Sequence, residues 1–366
     1  MTDTGARRRV PWTVVTPVAA GVALALAWGR HPGDVVLIGL AVLLVGAVLA
    51  AVHHAEVVAH RVGEPFGSLV LAVAVTIIEV ALIVSLMVSG GDDTATLARD
   101  TVFAAVMISV NGIVGMCLLV SSLRHHLAVF NPEGTGAALS TVITLAAVCL
   151  VVPRFTTTEA GPEFSSGQLA FAAVASLTLY GLFVFTQTVR HRDFFLPVEK
   201  RHPDVDGDGH ADPPSNRATW ISLGLLFVAL VAVVGLAKVE SPAIERGVSG
   251  LGFPHAFVGV VIALLVLLPE SIAATRAAAN AQVQIGMNLA YGSAMASIGL
   301  TIPTIAVASI WLDGPLSLGL EPLQIALLFI SVVVSILTVV PGRAKPLQGG
   351  VHLVLLAAFI FLSISP

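Results

Sequence analysis

The chain has 366 residues, 56% of them hydrophobic and 11% charged, with mean hydropathy +0.95 and a formal net charge of -4 at pH 7. Soluble globular chains carry about 25% charged residues, so this composition excludes a soluble domain and predicts an all-α polytopic membrane protein. The small net charge says little about partners and no nucleic-acid partner is expected, and the two cysteines, Cys117 and Cys149, lie in apolar runs where they read as small hydrophobes rather than a disulfide or a metal site.

Apolar runs of about 17 to 25 residues, bounded by Gly, Pro and charge, predict the spans in chain order. Five fall near residues 12–29, 34–60, 64–89, 100–123 and 133–152, and six near 167–190, 218–238, 253–277, 285–311, 321–340 and 347–365, giving eleven transmembrane helices. Arg7-Arg8-Arg9, the apolar stretch and Ala25-Leu26-Ala27 also fit a signal peptide, but the run is long for a signal core, so a retained first helix is expected. Asn131-Pro132-Glu133 offers a cap, a first-turn proline and an acid at the positive end of a helix dipole. With the N-terminus inside, 13 of the 18 Lys and Arg residues fall on inner segments and 5 on outer ones. This bias predicts a protein of the inner or plasma membrane with its N-terminus cytoplasmic and its C-terminus outside.

After an N-terminal segment and first helix (1–33), ten helices remain. They divide at the polar loop 191–217 into a five-helix repeat over 34–190 and another over 218–366. Two five-helix units in tandem must run in opposite orientations, the layout of inverted-repeat transporters. Gly63-x-Pro65 precedes Glu79 on the second helix of one unit, and Gly252-x-Pro254 precedes Glu270 on the second of the other, with spacings that differ by two residues.

Glu79 and Glu270 stand in otherwise apolar runs. A charged side chain at the bilayer centre costs about 2.5 to 3.5 kcal/mol, which marks such residues as functional candidates. The stretches GEPFGSLVLAVAVTIIEV at 63–80, NGIVGMCLL at 111–119, VRHRDFFLP at 189–197, and LLPESIAATRAA with NLAYGSAMASIGLTIP between 267 and 303 resemble the cation/calcium exchanger superfamily, and within it the ChaA-type cation/proton antiporters. The resemblance implies that the two carboxylate segments are paired repeats and that Glu79 and Glu270 bind the ion. Where many members have Gly-Asn before the acid, this chain has Thr76-Ile77-Ile78 and Leu267-Leu268-Pro269.

Hard cations such as calcium or sodium take oxygen ligands, about six to eight of them for calcium. Two glutamates are neutralised by one divalent cation or by two protons, whereas the empty, ionised pair is a double charge in low dielectric. Ion and proton therefore replace each other, which is antiport. Thr76, three residues before Glu79 on the same helix face, and Asn111 and Ser293 on the following helices are the candidate neutral ligands. Pro269 frees a carbonyl one turn back as a further oxygen. The expected function is a calcium:proton antiporter, with sodium or potassium as alternative cargo and no cofactor. The alternatives are a passive cation channel and, from Gly247-Val248-Ser249-Gly250 in a predicted outer loop, an intramembrane serine protease.

Two regulatory features are also legible. Asp204-x-Asp206-x-Asp208-Gly209 copies the first half of an EF-hand loop but has Ser215 at position twelve after Pro213-Pro214, so a solvated acidic loop is the plainer reading. His53, His54 and His60 gather near Glu56 and Glu64 at a predicted inner helix end, where they could sense cytoplasmic pH or simply be interfacial polar residues.

Overall fold

The structure is a computed structural model that describes residues 11–30, 32–63, 66–89, 95–197, 214–311 and 316–365. Its helical segments are α1 (Trp12–Ala27), α2 (Asp34–Val62), α3 (Phe66–Ser89), α4 (Leu97–His125), α5 (Pro132–Arg154), α6 (Ser166–Arg190), α7 (Asn216–Gly250), α8 (Phe257–Ala279), α9 (Val283–Ala308), α10 (Pro322–Val339) and α11 (Pro346–Ile364). Among the described residues, 9 of these are long and apolar enough to cross a membrane, while α1 and the Ala72–Ser85 part of α3 are shorter apolar stretches. The protein is an all-α integral membrane protein.

Local chemistry sets the helix ends. The Asn131 side chain accepts hydrogen bonds from the Glu133 and Gly134 backbone at the start of α5, Ser165 and Gln168 form a reciprocal capping box on α6, and Ser215 caps α7 through the Ala218 N–H. Ser215, twelfth in the EF-hand-like string, is thus a helix cap. Asp204, Asp206 and Asp208 lie outside the described residues.

The segment predicted to end near 238 is helical to Gly250, so Gly247 to Gly250 form the last turn of α7 and not a loop. Glu240, Glu245 and Arg246 end the apolar run without ending the helix, because hydropathy reports membrane thickness while backbone hydrogen bonding sets helix length. Ser249 is exposed there.

Helices α2 and α7 carry matching residues at an offset of 189. Gly46, Glu56 and Gly63 correspond to Gly235, Glu245 and Gly252. Gly63 and Gly252 both have φ +74, a conformation that disfavours any residue with a Cβ; Gly63 directly follows α2 and donates its N–H to the Ala59 carbonyl, whereas Gly252 follows α7 after Leu251 and donates to the Ser249 carbonyl. Gly46 and Gly235 both open notches for α1, since a Cβ at Gly46 would meet Thr16 and one at Gly235 would meet Leu24. At the next helix the offset becomes 191: Phe66 and Phe257 start α3 and α8, and Glu79 and Glu270 each lie 13 residues further on. The two extra residues fall in the turn between Gly252 and Phe257. They do not disturb the depth of the carboxylates, about 20 Å along each helix from its start.

Two apolar cores organise the packing. One joins α1, α2 and α7 to parts of α3 and α8 and is built of Ala, Val, Leu and Ile. The other surrounds α4, the most enclosed of the spans, and brings in Phe103 of α4 together with Phe130, Tyr180, Phe183, Phe195, Tyr291 and Phe359 from five other segments of the chain. Cys117 and Cys149 are free and buried in it. At one end of α4, a two-residue antiparallel pair joins Ala128–Val129 to Arg343–Ala344. At the other end, buried Arg99 bridges Asp100 at 2.9 Å and Glu321 at 3.3 Å.

Candidate cation site

Helices α3 and α8 bring Glu79 and Glu270 into the interior, 2% and 8% exposed. The Glu79 Oε2 accepts a hydrogen bond of 2.9 Å from the Ser297 hydroxyl on α9, while Glu79 Oε1 and Glu270 Oε2 are buried without a partner. The two carboxylates are close enough for their charges to act on each other. Buried polar atoms are nearly always hydrogen-bonded, so the unpartnered oxygen on each of these two buried carboxylates is equipped to receive a cation or a proton. Among the described residues no three His, Cys, Asp or Glu side chains gather as a metal cluster, and further ligands would have to be neutral oxygens.

Thr76 is such an oxygen: its hydroxyl is buried and unpartnered one turn before Glu79. Thr301, whose hydroxyl is also buried and unpartnered, stands near the same carboxylate. Ser293 lines a cavity of about 220 Å³ together with Glu270, Gln187 and Asn288. A larger cavity of about 630 Å³, lined by Thr76, Ser85, Lys238 and Thr304, lies along the other half of α3. Glu270 lines the smaller of these, and neither glutamate lines the larger. Pro269 lies within an unbroken α8 and has no N–H to offer the Leu265 carbonyl.

Two residues depart from expectation. Asn111 is fully buried but turned to other helices, with its Nδ2 donating to Ser331 Oγ at 2.9 Å and its Oδ1 3.2 Å from His352 Nδ1. Both ends of its amide are engaged on α10 and α11, so the structure does not bring it to the glutamates. Ser297 was missed, although it follows Ser293 by four residues and so shares its helix face.

The histidine cluster divides. His54 is buried and ties helices together, with Nε2 2.9 Å from the Thr13 carbonyl on α1 and Nδ1 3.2 Å from Ser222 Oγ on α7. His53 and His60 lie nearer the surface and act electrostatically on Glu56 between them. Glu64 lies outside the described residues.

A family profile described as sodium/calcium exchanger protein matches residues 34–189 and 221–365. The chain is 43% identical to the Sinorhizobium fredii protein y4hA, over 97% of this chain and 96% of that one. It is 34% identical to the sodium-potassium/proton antiporter ChaA of Escherichia coli, over 95% of this chain and 94% of the relative. A solved structure of the Ca2+/H+ antiporter YfkE superposes with a TM-score of 0.69 at 13% identity, covering 97% of this chain and 100% of that one, a likeness of fold.

Proposed function

We propose that this chain, which belongs to the sodium/calcium exchanger family, is a proton-coupled cation antiporter that uses Glu79 and Glu270 as the shared site for cation and protons. It is a secondary transporter and not an enzyme, and Ser249 at the exposed end of α7 has no part in the reaction. The observation that carries the reading is that both carboxylates are buried in the interior, each with an unpartnered oxygen. Ser297, Ser293, Thr76 and Thr301 supply neutral oxygens around it, so the site suits a hard cation.

Empty and ionised, the pair would leave two interacting charges in low dielectric. Binding one divalent cation or two protons removes that cost, so the protein changes access only when loaded and the two cargoes alternate. In our topology all eleven segments cross, the repeats 34–190 and 218–366 are inverted, the N-terminus is cytoplasmic and the protein resides in the inner membrane. The Glu270 cavity, near the α6 and α9 ends marked by Gln187 and Asn288, then faces the cytoplasm. Calcium is the cargo that two carboxylates match in charge, and sodium or potassium follows from the name of the Escherichia coli relative.

Proteoliposomes with an imposed pH gradient test this directly. The wild type should accumulate calcium, and sodium or potassium where these are cargo, only while the gradient lasts. Glu79→Gln with Glu270→Gln should give no uptake above protein-free vesicles. Gradient-driven uptake that survives both substitutions would sink the site, and flux indifferent to the gradient would make the protein a channel.

A further inference from the structure

His352, on α11, has none of its surface exposed, and neither has Asn111 beside it. An ionisable side chain kept inside a membrane protein is costly unless it has a task, and here its contacts are specific. His352 Nδ1 lies 3.2 Å from Asn111 Oδ1, and Nε2 lies 3.2 Å from Thr338 Oγ1 on α10. A carbonyl oxygen only accepts, so Nδ1 donates, and in the neutral imidazole Nε2 accepts the Thr338 hydroxyl. With Ser331 accepting from its Nδ2, Asn111 is clamped by two helices that carry none of the cation ligands.

The clamp holds an irregular piece of backbone. Asn111 lies inside the π-helical turn Ile108–Ile113 of α4, a distortion that appears mostly as a single turn and often at functional sites. That turn packs against both α8 and α9, the helices of Glu270 and of Ser293 and Ser297. Its position fixes how far apart the two helices stand.

We propose that His352 is a positioning residue for cation binding: by holding Asn111 it sets the π-turn of α4 against α8 and α9, and so the spacing of Glu270 and Ser297 around the ion. It touches no cargo itself. The inference rests on the antiport reading only for where the cation sits.

The test is calcium binding by titration calorimetry on the purified full chain in detergent, with folding checked by monodisperse elution. Losing a group that orients a metal site commonly costs 10- to 100-fold in affinity, so His352→Ala should weaken calcium about tenfold. Asn111→Ala should do the same, and the double variant should be no weaker than either alone, because the two act as one unit. His352→Gln, whose amide supplies one donor and one acceptor, should recover most of the affinity, which general damage to packing would not allow. If His352→Ala does not fold, Thr338→Val, which removes only the hydroxyl on Nε2, carries the test with a smaller loss in the same direction. Wild-type affinity in folded His352→Ala, or losses that multiply in the double variant, would overturn the proposal. Absence of gradient-driven flux in wild-type vesicles would count against the antiport reading alone, because the affinity comparison does not depend on transport.

Discussion

The two apolar cores are built differently. The core of α1, α2 and α7 meets α3 and α8 through small and aliphatic side chains, including Ala47, Ala51, Ala55, Ala229 and Ala232, all fully buried. The core around α4 is keyed by aromatic rings, as in the perpendicular pair Phe103–Phe359 at 5.5 Å, and by polar contacts at Arg99, Asn111 and His352. Smooth aliphatic surfaces can shift against one another without breaking hydrogen bonds, whereas keyed ones have discrete arrangements. His54, Thr13 and Ser222 tie α1, α2 and α7 to each other, so these three form a unit of their own. In the proposed repeat layout of 34–190 and 218–366, the boundary between the cores cuts across the repeats, since α2 belongs to one and α7 to the other. If access alternates, the unit of α1, α2 and α7 is the part suited to move while the α4 core holds the ligands.

The keyed side should break hardest. Asp100 accepts from Arg99 at 2.9 Å, Thr96 at 2.8 Å and Gln324 at 3.2 Å, and the Arg99–Asp100 pair is almost entirely buried. Leaving one partner of such a pair uncompensated costs about 3 to 5 kcal/mol, and without Asp100 the buried Arg99 keeps only Glu321, half exposed at 3.3 Å, and the Gly319 carbonyl, so the loss approaches the lower end of that range. Asp100→Ala should therefore lower the melting temperature of the detergent-purified protein strongly. Melting at the wild-type temperature would mean that this core is not held by its polar contacts.

A smaller effect of another kind is expected on the smooth side. Ala51→Leu enlarges a fully buried position of α2, and overpacking costs about 1 to 3 kcal/mol. If α2 must shift during transport, the turnover rate in vesicles should fall while the apparent affinity for cation changes little. Equal loss in both, or in affinity alone, would assign the sliding surface elsewhere.

How much of this was legible in the sequence depended on which force set each feature. Membrane segments and the two glutamates were plain, since an acid in an apolar run is too costly to keep without a task and periodicity is unnecessary when every face is apolar. Helix α7 was cut short because its last three turns carry Glu240, Glu245 and Arg246, which end hydropathy but leave backbone bonding intact. The two-residue mismatch between the carboxylate spacings hid a regular repeat, because the insertion sits in a turn and the register resumes at Phe66 and Phe257. Side-chain direction was not legible at all. Asn111 and Ser297 are both polar residues in the helix after a carboxylate, and only packing decides that one turns to His352 and the other to Glu79. His352 carried no signal in the sequence that it would be enclosed.

The finest test uses the repeat to compare the two faces of the moving unit. Glu56 and Glu245 are equivalent positions on α2 and α7, each seven residues before the left-handed glycine that follows its helix. Glu56 is exposed, and Glu245 is half-buried, 3.4 Å from the Ser241 hydroxyl. In the proposed topology they stand at opposite membrane faces. Each would attract a cation on its own side, more weakly than the central pair because solvent screens it. Exposed charge interactions of about 0.2 to 1 kcal/mol correspond to less than about fivefold in affinity. Glu56→Gln should weaken calcium only when it is offered from the cytoplasmic face of oriented vesicles, Glu245→Gln only from the other, and both losses should shrink as ionic strength rises. A loss that appears equally from both faces in either variant would place that carboxylate in the central site or in the scaffold, and the smooth unit would then have no charged rim to guide ions into it.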